Sequence, residues 1–294
     1  MTTKGRERVS AEMPKATRTA KRTWAARRAL LAGLCAVAMA APAGAGAAGA
    51  AAAAADSPVV AAAADLQFAL PDIAAEFTRK TGRTLRLVFG SSGNFRRQIE
   101  DGAPFQLFLS ADRAYVAALA REGRTVDAGV DYAVGRLALI VPPGSPVKPD
   151  PELRGLARAL ADGTLQRFAI ANPDHAPYGR AARQALERAG LWEAVRPKLV
   201  LGENVSQTAQ FALSGATQGG IVAYSLLRSP AFAGRGDYAL LPTSMYDPLT
   251  QRMVLLEGAG ATARAFYMYL QGPAARTTLA RYGFELPATA ASPR

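Results

Sequence analysis

"FGSSGNFRRQIEDGAPFQLFLSAD", from Phe89 to Asp112, holds the pattern on which the fold turns. The β-rich run "TLRLVFG" leading into it stops at Gly90. Two serines and a glycine follow, then "NFRRQIEDG" with helical spacing, and "FQLFLSAD" returns to an apolar strand. A strand, a small-residue turn, a helix and a second strand make a βαβ unit, whose strands run parallel. Ser91, Ser92 and Asn94 are helix-capping residue types. The same bare amides and hydroxyls also suit an anion. First-turn N–H groups lack intrahelical partners, and the aligned peptide dipoles favour negative charge there.

Working outward, the alternation continues in both directions. "PVVAAAAD" reads as a short buried strand. "ALPDIAAEFTRKTG" reads as a helix with Leu70, Ile73, Ala74 and Phe77 on one face, Pro71 in its first turn and Gly82 as its stop. After "RAYVAALAREG", a helix, the run "YAVGRLALIVPPGS" reads as one long strand. Then come a helix in "PELRGLARALADG", a strand in "RFAIAN", a helix in "GRAARQALERAGLWEAV", a strand in "KLVLGEN" and a helix in "VSQTAQFALSG". "GGIVAYSLL" gives a strand and turn, "YALLPTSMYDPLTQRMVLLEG" two strands, and helical segments close the chain. The pattern predicts two α/β lobes, residues 56–134 with 239–294 in one and 135–238 in the other. Ligands in open α/β sheets bind beyond the carboxyl ends of the strands. The turns rich in Ser, Gly, Asn and Pro after Phe89, Asn172 and Gly202 lie at such ends.

Residues 1–55 read differently. Between residues 4 and 28 lie nine lysines and arginines against Glu7 and Glu12, followed by "ALLAGLCAVAMAAPA" and an Ala/Gly-rich tail. A basic head, a short apolar middle and a small-residue tail are the parts of a secretory signal, and the middle is shorter than the roughly 20 residues that span a bilayer. Cys35 follows Leu34 where a lipoprotein signal has a small residue. Removing this segment takes nine of the 35 basic and two of the 23 acidic residues, leaving an excess of about five positive charges instead of twelve. No basic run with interleaved aromatics remains, which argues against nucleic acid. Cys35 is the only cysteine and His175 the only histidine, so the exported chain has no disulfide, thiolate site or histidine cluster.

Catalytic patterns are weak. Gly-Ser-Ser-Gly lacks the Gly-x-Ser-x-Gly spacing of a nucleophile elbow, and His175 lies in the Pro-rich loop "ANPDHAPYG", where a lone histidine is expected to be solvated. Neither a P-loop nor a dinucleotide fingerprint is present. Arg96 and Arg97, one turn into the helix, read as solvated surface charges. By contrast, "SSG" at Ser91–Gly93, "PYGR" at Pro177–Arg180 and "ENVSQTAQ" around Val205 and Ser206 each open a helix after a strand. Neutral donors of this kind hold a fully ionised oxyanion without a buried lysine or arginine.

Four stretches, "VVAAAADLQFALPDIAAEF", "FGSSGNFRRQIEDGAPFQLFLSAD", "ANPDHAPYGRAARQALERAGLW" and "GPAARTTLARYGFELP", together resemble the periplasmic molybdate-binding proteins of ABC importers over essentially the whole exported chain. The resemblance implies a type II periplasmic-binding-protein fold, a periplasmic monomer serving an inner-membrane ABC permease, and no reaction. It implies no cofactor either, molybdate or tungstate being the cargo. Other oxyanions such as phosphate or sulfate, and an exported α/β serine hydrolase, are the alternatives. Carried over by motif, Ser92 is the family's oxyanion serine, with Ser91 beside it. Tyr178 stands where the family has an alanine, which matters little where the backbone N–H alone is used. Val205 is a further backbone donor. Two positions depart: Asp65 replaces the family's first serine, and Ala223 replaces its tyrosine, with Tyr224 one place on and aimed elsewhere by strand alternation. Three roles are open for Asp65. In the preferred one it turns away and caps the next turn. In the second it accepts a proton from a protonated oxyanion. In the third it joins an expanded coordination sphere.

Overall fold

The computed structural model describes residues 57–287. The secretory-signal reading of residues 1–55 lies outside the described residues. Two five-stranded sheets form the frame. The first contains β1 (Val59–Ala63), β2 (Arg86–Gly90), β3 (Phe105–Ser110) and β4 (Val130–Gly135), with helices α1 (Ala69–Thr81), α2 (Ser92–Glu100) and α3 (Arg113–Arg121) between them. β1 pairs in parallel with both β2 and β3, as the opening βαβ pattern requires.

The long strand expected around Arg136 is two strands. β4 ends at Gly135 in the first sheet, and β5 (Leu137–Val141) starts in the second. At the junction Gly135 leaves room for the hydroxyl of Tyr178, with which a Cβ there would collide. The second sheet then gathers β6 (Phe168–Ala171), β7 (Leu199–Gly202), β8 (Gly220–Ala223) and β9 (Asp237–Leu240). Around it lie α4 (Arg154–Ala161), α5 (Pro177–Arg188), the short α6 (Trp192–Val195), α7 (Val205–Leu213) and the short α8 (Tyr224–Leu227). The chain returns to the first sheet as β10 (Leu249–Leu255), antiparallel to β3 and β4, and ends in α9 (Ala261–Gln271) and α10 (Pro273–Arg281).

The two sheets have matching orders, β2-β1-β3-β10-β4 and β7-β6-β8-β5-β9. In each, the first three strands are parallel and the fourth runs against its neighbours. Strand alternation builds the first lobe's core. Val60 and Ala62 face Leu70, Ile73 and Phe77 of α1 and Phe266 of α9, while Ala61 faces Phe95 and Ile99 of α2 and Val116 of α3. Burial of these side chains on both faces explains why β1 is apolar without interruption. The second lobe packs Leu139, Phe168, Ile170 and Val222 against Leu156, Ala182, Leu186 and Ala209 in the same way. The carboxyl ends of β1, β2, β6 and β7 consequently point into the seam between the lobes.

Candidate functional site

At that seam, Ala63, Ala64, Asp65, Gly90, Ser91, Ser92, Ala111, Ala176, Pro177, Tyr178, Asn204 and Val205 line one narrow pocket. Its free space, counted out to the open cleft, is about 200 Å³. None of these lining residues is a lysine or arginine. Three helices start here. Ser91, in extended conformation, precedes α2; Ala176 precedes α5, with Pro177 in its first position; Asn204 precedes α7. The Asn204 side chain accepts from the amides of Ser206 and Gln207, which leaves the amide of Val205 at the head of α7 without an intrahelical acceptor. Ser92 presents its amide at the same first position of α2, and Tyr178 at the second position of α5, where Pro177 before it has none.

The two adjacent serines play different parts. Ser92 Oγ accepts from the amide of Ala111 at 3.0 Å, an arrangement that leaves its hydrogen free to donate. The Ser91 hydroxyl is committed across the seam. It donates to the carbonyl of His175 at 2.7 Å and lies 2.8 Å from His175 Nδ1. Because the serine hydrogen is spent on the carbonyl, Nδ1 must be the donor of the second bond. The amide of Gly93 adds a second bond to the same carbonyl, at 3.0 Å. His175 is therefore buried, 7 % exposed, where a solvated loop residue was expected.

Asp65 does not turn away, so the capping role preferred from the sequence is corrected. It sits in a 3-10 turn (Ala64–Leu66) directly after β1, is 1 % exposed, and makes no cap bond to α1. Its Oδ2 accepts from the hydroxyl of Tyr178 at 2.9 Å and from Nε2 of Gln251. Gln251 is held in that orientation because its carbonyl accepts from Tyr132 Oη at 2.7 Å. The main-chain carbonyl of Asp65 accepts from Ser225 Oγ at 2.8 Å. Oδ1 is buried and without a hydrogen-bond partner. Burial pushes the Asp65 carboxyl up to about 6, against the pull of its bonds from Gln251 and Tyr178 and of the amides of residues 65 and 66. Burial also pushes the Tyr178 and Tyr132 hydroxyls well up, and the neighbouring Asp65 carboxylate adds to both. The side chain of Tyr178, expected to matter little, is thus the direct partner of Asp65.

Descriptions of known proteins match this arrangement along its length. The model of the family described as "Bacterial extracellular solute-binding protein" matches residues 58–285. The molybdate-binding protein ModA of Rhodobacter capsulatus is 37 % identical over 230 residues, 77 % of this chain and 87 % of that protein. The ModA of Azotobacter vinelandii is 37 % identical over 231 residues, 77 % of this chain and 89 % of its own length. The solved structure of the Azotobacter vinelandii periplasmic molybdate-binding protein superposes with a TM-score of 0.71 at 30 % identity, covering 79 % of this chain and all of that one. The chain belongs to the molybdate-binding family of bacterial extracellular solute-binding proteins.

Within this solute-binding protein, five of the six residues singled out from the sequence, Asp65, Ser91, Ser92, Tyr178 and Val205, line the same pocket. Tyr224 is not among the lining residues. It opens α8 and stacks on Tyr238 at 5.9 Å between centroids, with Arg228 over its ring. Arg96 pairs with Glu100 and Glu122, and Arg97 with Asn94, outside the pocket. Sequence reasoning missed Gln251, Tyr132 and Ser225. Gln251 carried a signal: in "LTQRMVLL" it alternates with Leu249, Met253 and Leu255, an inward amide among apolar positions, and it is fully buried.

Proposed function

We propose that this protein captures molybdate, or tungstate of the same shape and charge, outside the cytoplasm and delivers it to an inner-membrane ABC permease. The observation that carries this reading is one pocket in which three helix N-termini and the uncommitted hydroxyl of Ser92 converge, with no lysine or arginine in its lining. Such a site suits an anion that needs donors alone. The named binding of the molybdate-binding relatives supports this choice of cargo. Ser92 donates through its hydroxyl and amide, and Tyr178 and Val205 through their amides. Ser91 contributes by tying the wall of the pocket to His175.

The anion is cargo and leaves unchanged. A nucleophilic serine needs a base that accepts its proton, whereas Ser91 gives its hydrogen to a peptide carbonyl and receives one from Nδ1. This favours binding over hydrolysis. The basic, apolar and small-residue parts of residues 1–55 serve as an export signal, and the remaining chain works in the periplasm as a monomer.

Calorimetric titration with molybdate, tungstate, sulfate and phosphate tests the reading. Molybdate and tungstate are expected to bind, and Ser92→Ala to weaken them by roughly 1–3 kcal/mol, the cost of an unpaired desolvated group. Unaltered affinity in that variant removes Ser92 from the site. Absence of binding with all four anions overturns the function.

A further inference from the structure

We propose that Asp65 is the specificity-determining residue of the pocket and couples anion capture to a proton: in the complex, its Oδ1 and one oxygen of the bound anion share a single hydrogen. The proposal rests on the reading of the pocket as an oxyanion site and deepens it.

The geometry fixes where that hydrogen lies. Oδ2 already receives two donors, the Tyr178 hydroxyl and the Gln251 amide. Gln251 cannot turn its carbonyl toward Asp65, because Tyr132 donates to that carbonyl. A proton on Asp65 therefore belongs on Oδ1, the buried oxygen that has no partner. Asp65 itself lines the pocket beside Ser92, Tyr178 and Val205. The Ser92 hydroxyl and the helix-start amides of Ser92, Tyr178 and Val205 are donors, so a fully ionised anion finds matching groups in them and not in Oδ1. There an ionised carboxylate would face it with like charge in a desolvated space. One hydrogen between the two oxygens removes the conflict.

Its source depends on the anion. Molybdate, tungstate and sulfate arrive without a proton, so the complex takes one from solvent and Asp65 holds it as donor. Hydrogen phosphate arrives with its own, and Asp65 accepts it. No covalent bond to the anion is made or broken. The raised affinity of the Asp65 carboxyl for protons in the empty pocket agrees with this arrangement.

The groups facing Asp65 from the surrounding elements are Tyr178 on α5, Tyr132 on β4 and the non-titrating Gln251 and Ser225, with Tyr246, in the segment before β10, close to Tyr178. Further along the seam lie His175, with Glu203 3.6 Å from its Nε2, and the Arg180–Asp112 pair.

The test is calorimetry of the whole exported chain with sodium molybdate in buffers of differing ionisation enthalpy, from about pH 6 to 8.5. Expected are uptake of close to one proton per molybdate at the upper end and a loss of affinity of about tenfold per pH unit there. Asp65→Asn should abolish the proton uptake and flatten the profile. Sulfate, the least basic of the anions, should bind more weakly than molybdate, with the gap narrowing in Asp65→Asn. Molybdate binding that is tight, pH-independent and free of proton uptake in the wild type overturns the role of Asp65 and leaves the oxyanion reading standing. Failure of every anion to bind at every pH overturns the oxyanion reading, and the proton coupling with it.

Discussion

Asp65 is as informative empty as it is occupied. A carboxyl that is 1 % exposed, with one oxygen unpartnered, is a cost the fold carries. Burial raises its pKa from the ordinary 3.8 to about 6, so the folded chain binds this proton more tightly than the unfolded chain does. The associated stability is fully present below about pH 4 and is lost as pH rises through about 6, amounting to about 3 kcal/mol. Asp65→Asn keeps the shape and removes the charge. Denaturant unfolding without anion should therefore find Asp65→Asn gaining on the wild type between about pH 4 and pH 7, by a large part of that amount. Equal slopes with pH in the two proteins would show that Asp65 is not buried as a charge. The same desolvation penalty would not fall on a serine at this position. A serine at the pocket wall offers a donor at every pH, whereas an aspartate offers one only when it holds a proton.

At the scale of elements, the site is a meeting of helix starts, and Gly93 in the first turn of α2 sets how closely they approach. A Cβ on Gly93 would stand 2.5 Å from the His175 carbonyl and 2.9 Å from the Tyr115 hydroxyl. The first of these is a contact between lobes and the second is the outer end of a side chain, so Gly93→Ala should hold the seam open while disturbing the first lobe only at Tyr115. Expected is a loss of anion affinity of about 1–3 kcal/mol, the range of overpacking, with the melting temperature of the empty protein little changed. A variant that binds at wild-type strength would mean that the anion does not require the closed seam. These helix starts were legible in the sequence because capping is local: Ser91, Pro177 and Asn204 each announce the helix that follows. The strand-helix alternation was legible for the same reason. The Asp65 network was not, since Tyr178 and Gln251 reach it from 113 and 186 residues away. No local pattern records a meeting at that distance, and a resemblance in which only the backbone of residue 178 counts hides its side chain. The break at Arg136 was missed because "GRLALIV" is apolar enough to read as one strand, while the passage from one sheet to the other is set by strand pairings distant in sequence.

For the whole molecule, two sheets of matching order meet through polar pairs set around a small apolar contact, where Ala63, Ala64 and Ala111 of the first lobe join the core of the second and Phe68 meets Phe232 edge-on. Ser91 meets His175, Asn94 meets Glu203, Gln67 meets Ser206, and Arg180 meets Asp112 and Tyr115. Polar pairs near water contribute little each, so closure rests on small terms to which a bound anion adds its own. That balance is what a carrier needs, because it must also open to release its cargo. The Arg180 clamp illustrates the magnitude. Its guanidinium lies 5.1 Å from the centre of the Tyr115 ring and donates to the Tyr115 hydroxyl at 2.6 Å. Arg180 and Asp112 remain 39 % and 25 % exposed, and solvent screening at that exposure holds the ion pair to at most about 1 kcal/mol. The clamp forms only when the lobes have met, so it belongs to the closed state and not to the encounter. Arg180→Ala should accordingly speed molybdate dissociation by up to about fivefold and leave the association rate nearly unchanged, as read by stopped-flow tryptophan fluorescence. A variant slowed mainly in association would instead place Arg180 in steering the anion into an open cleft. Unchanged rates in both directions would leave the lobes held by the anion and the Ser91–His175 bridge alone.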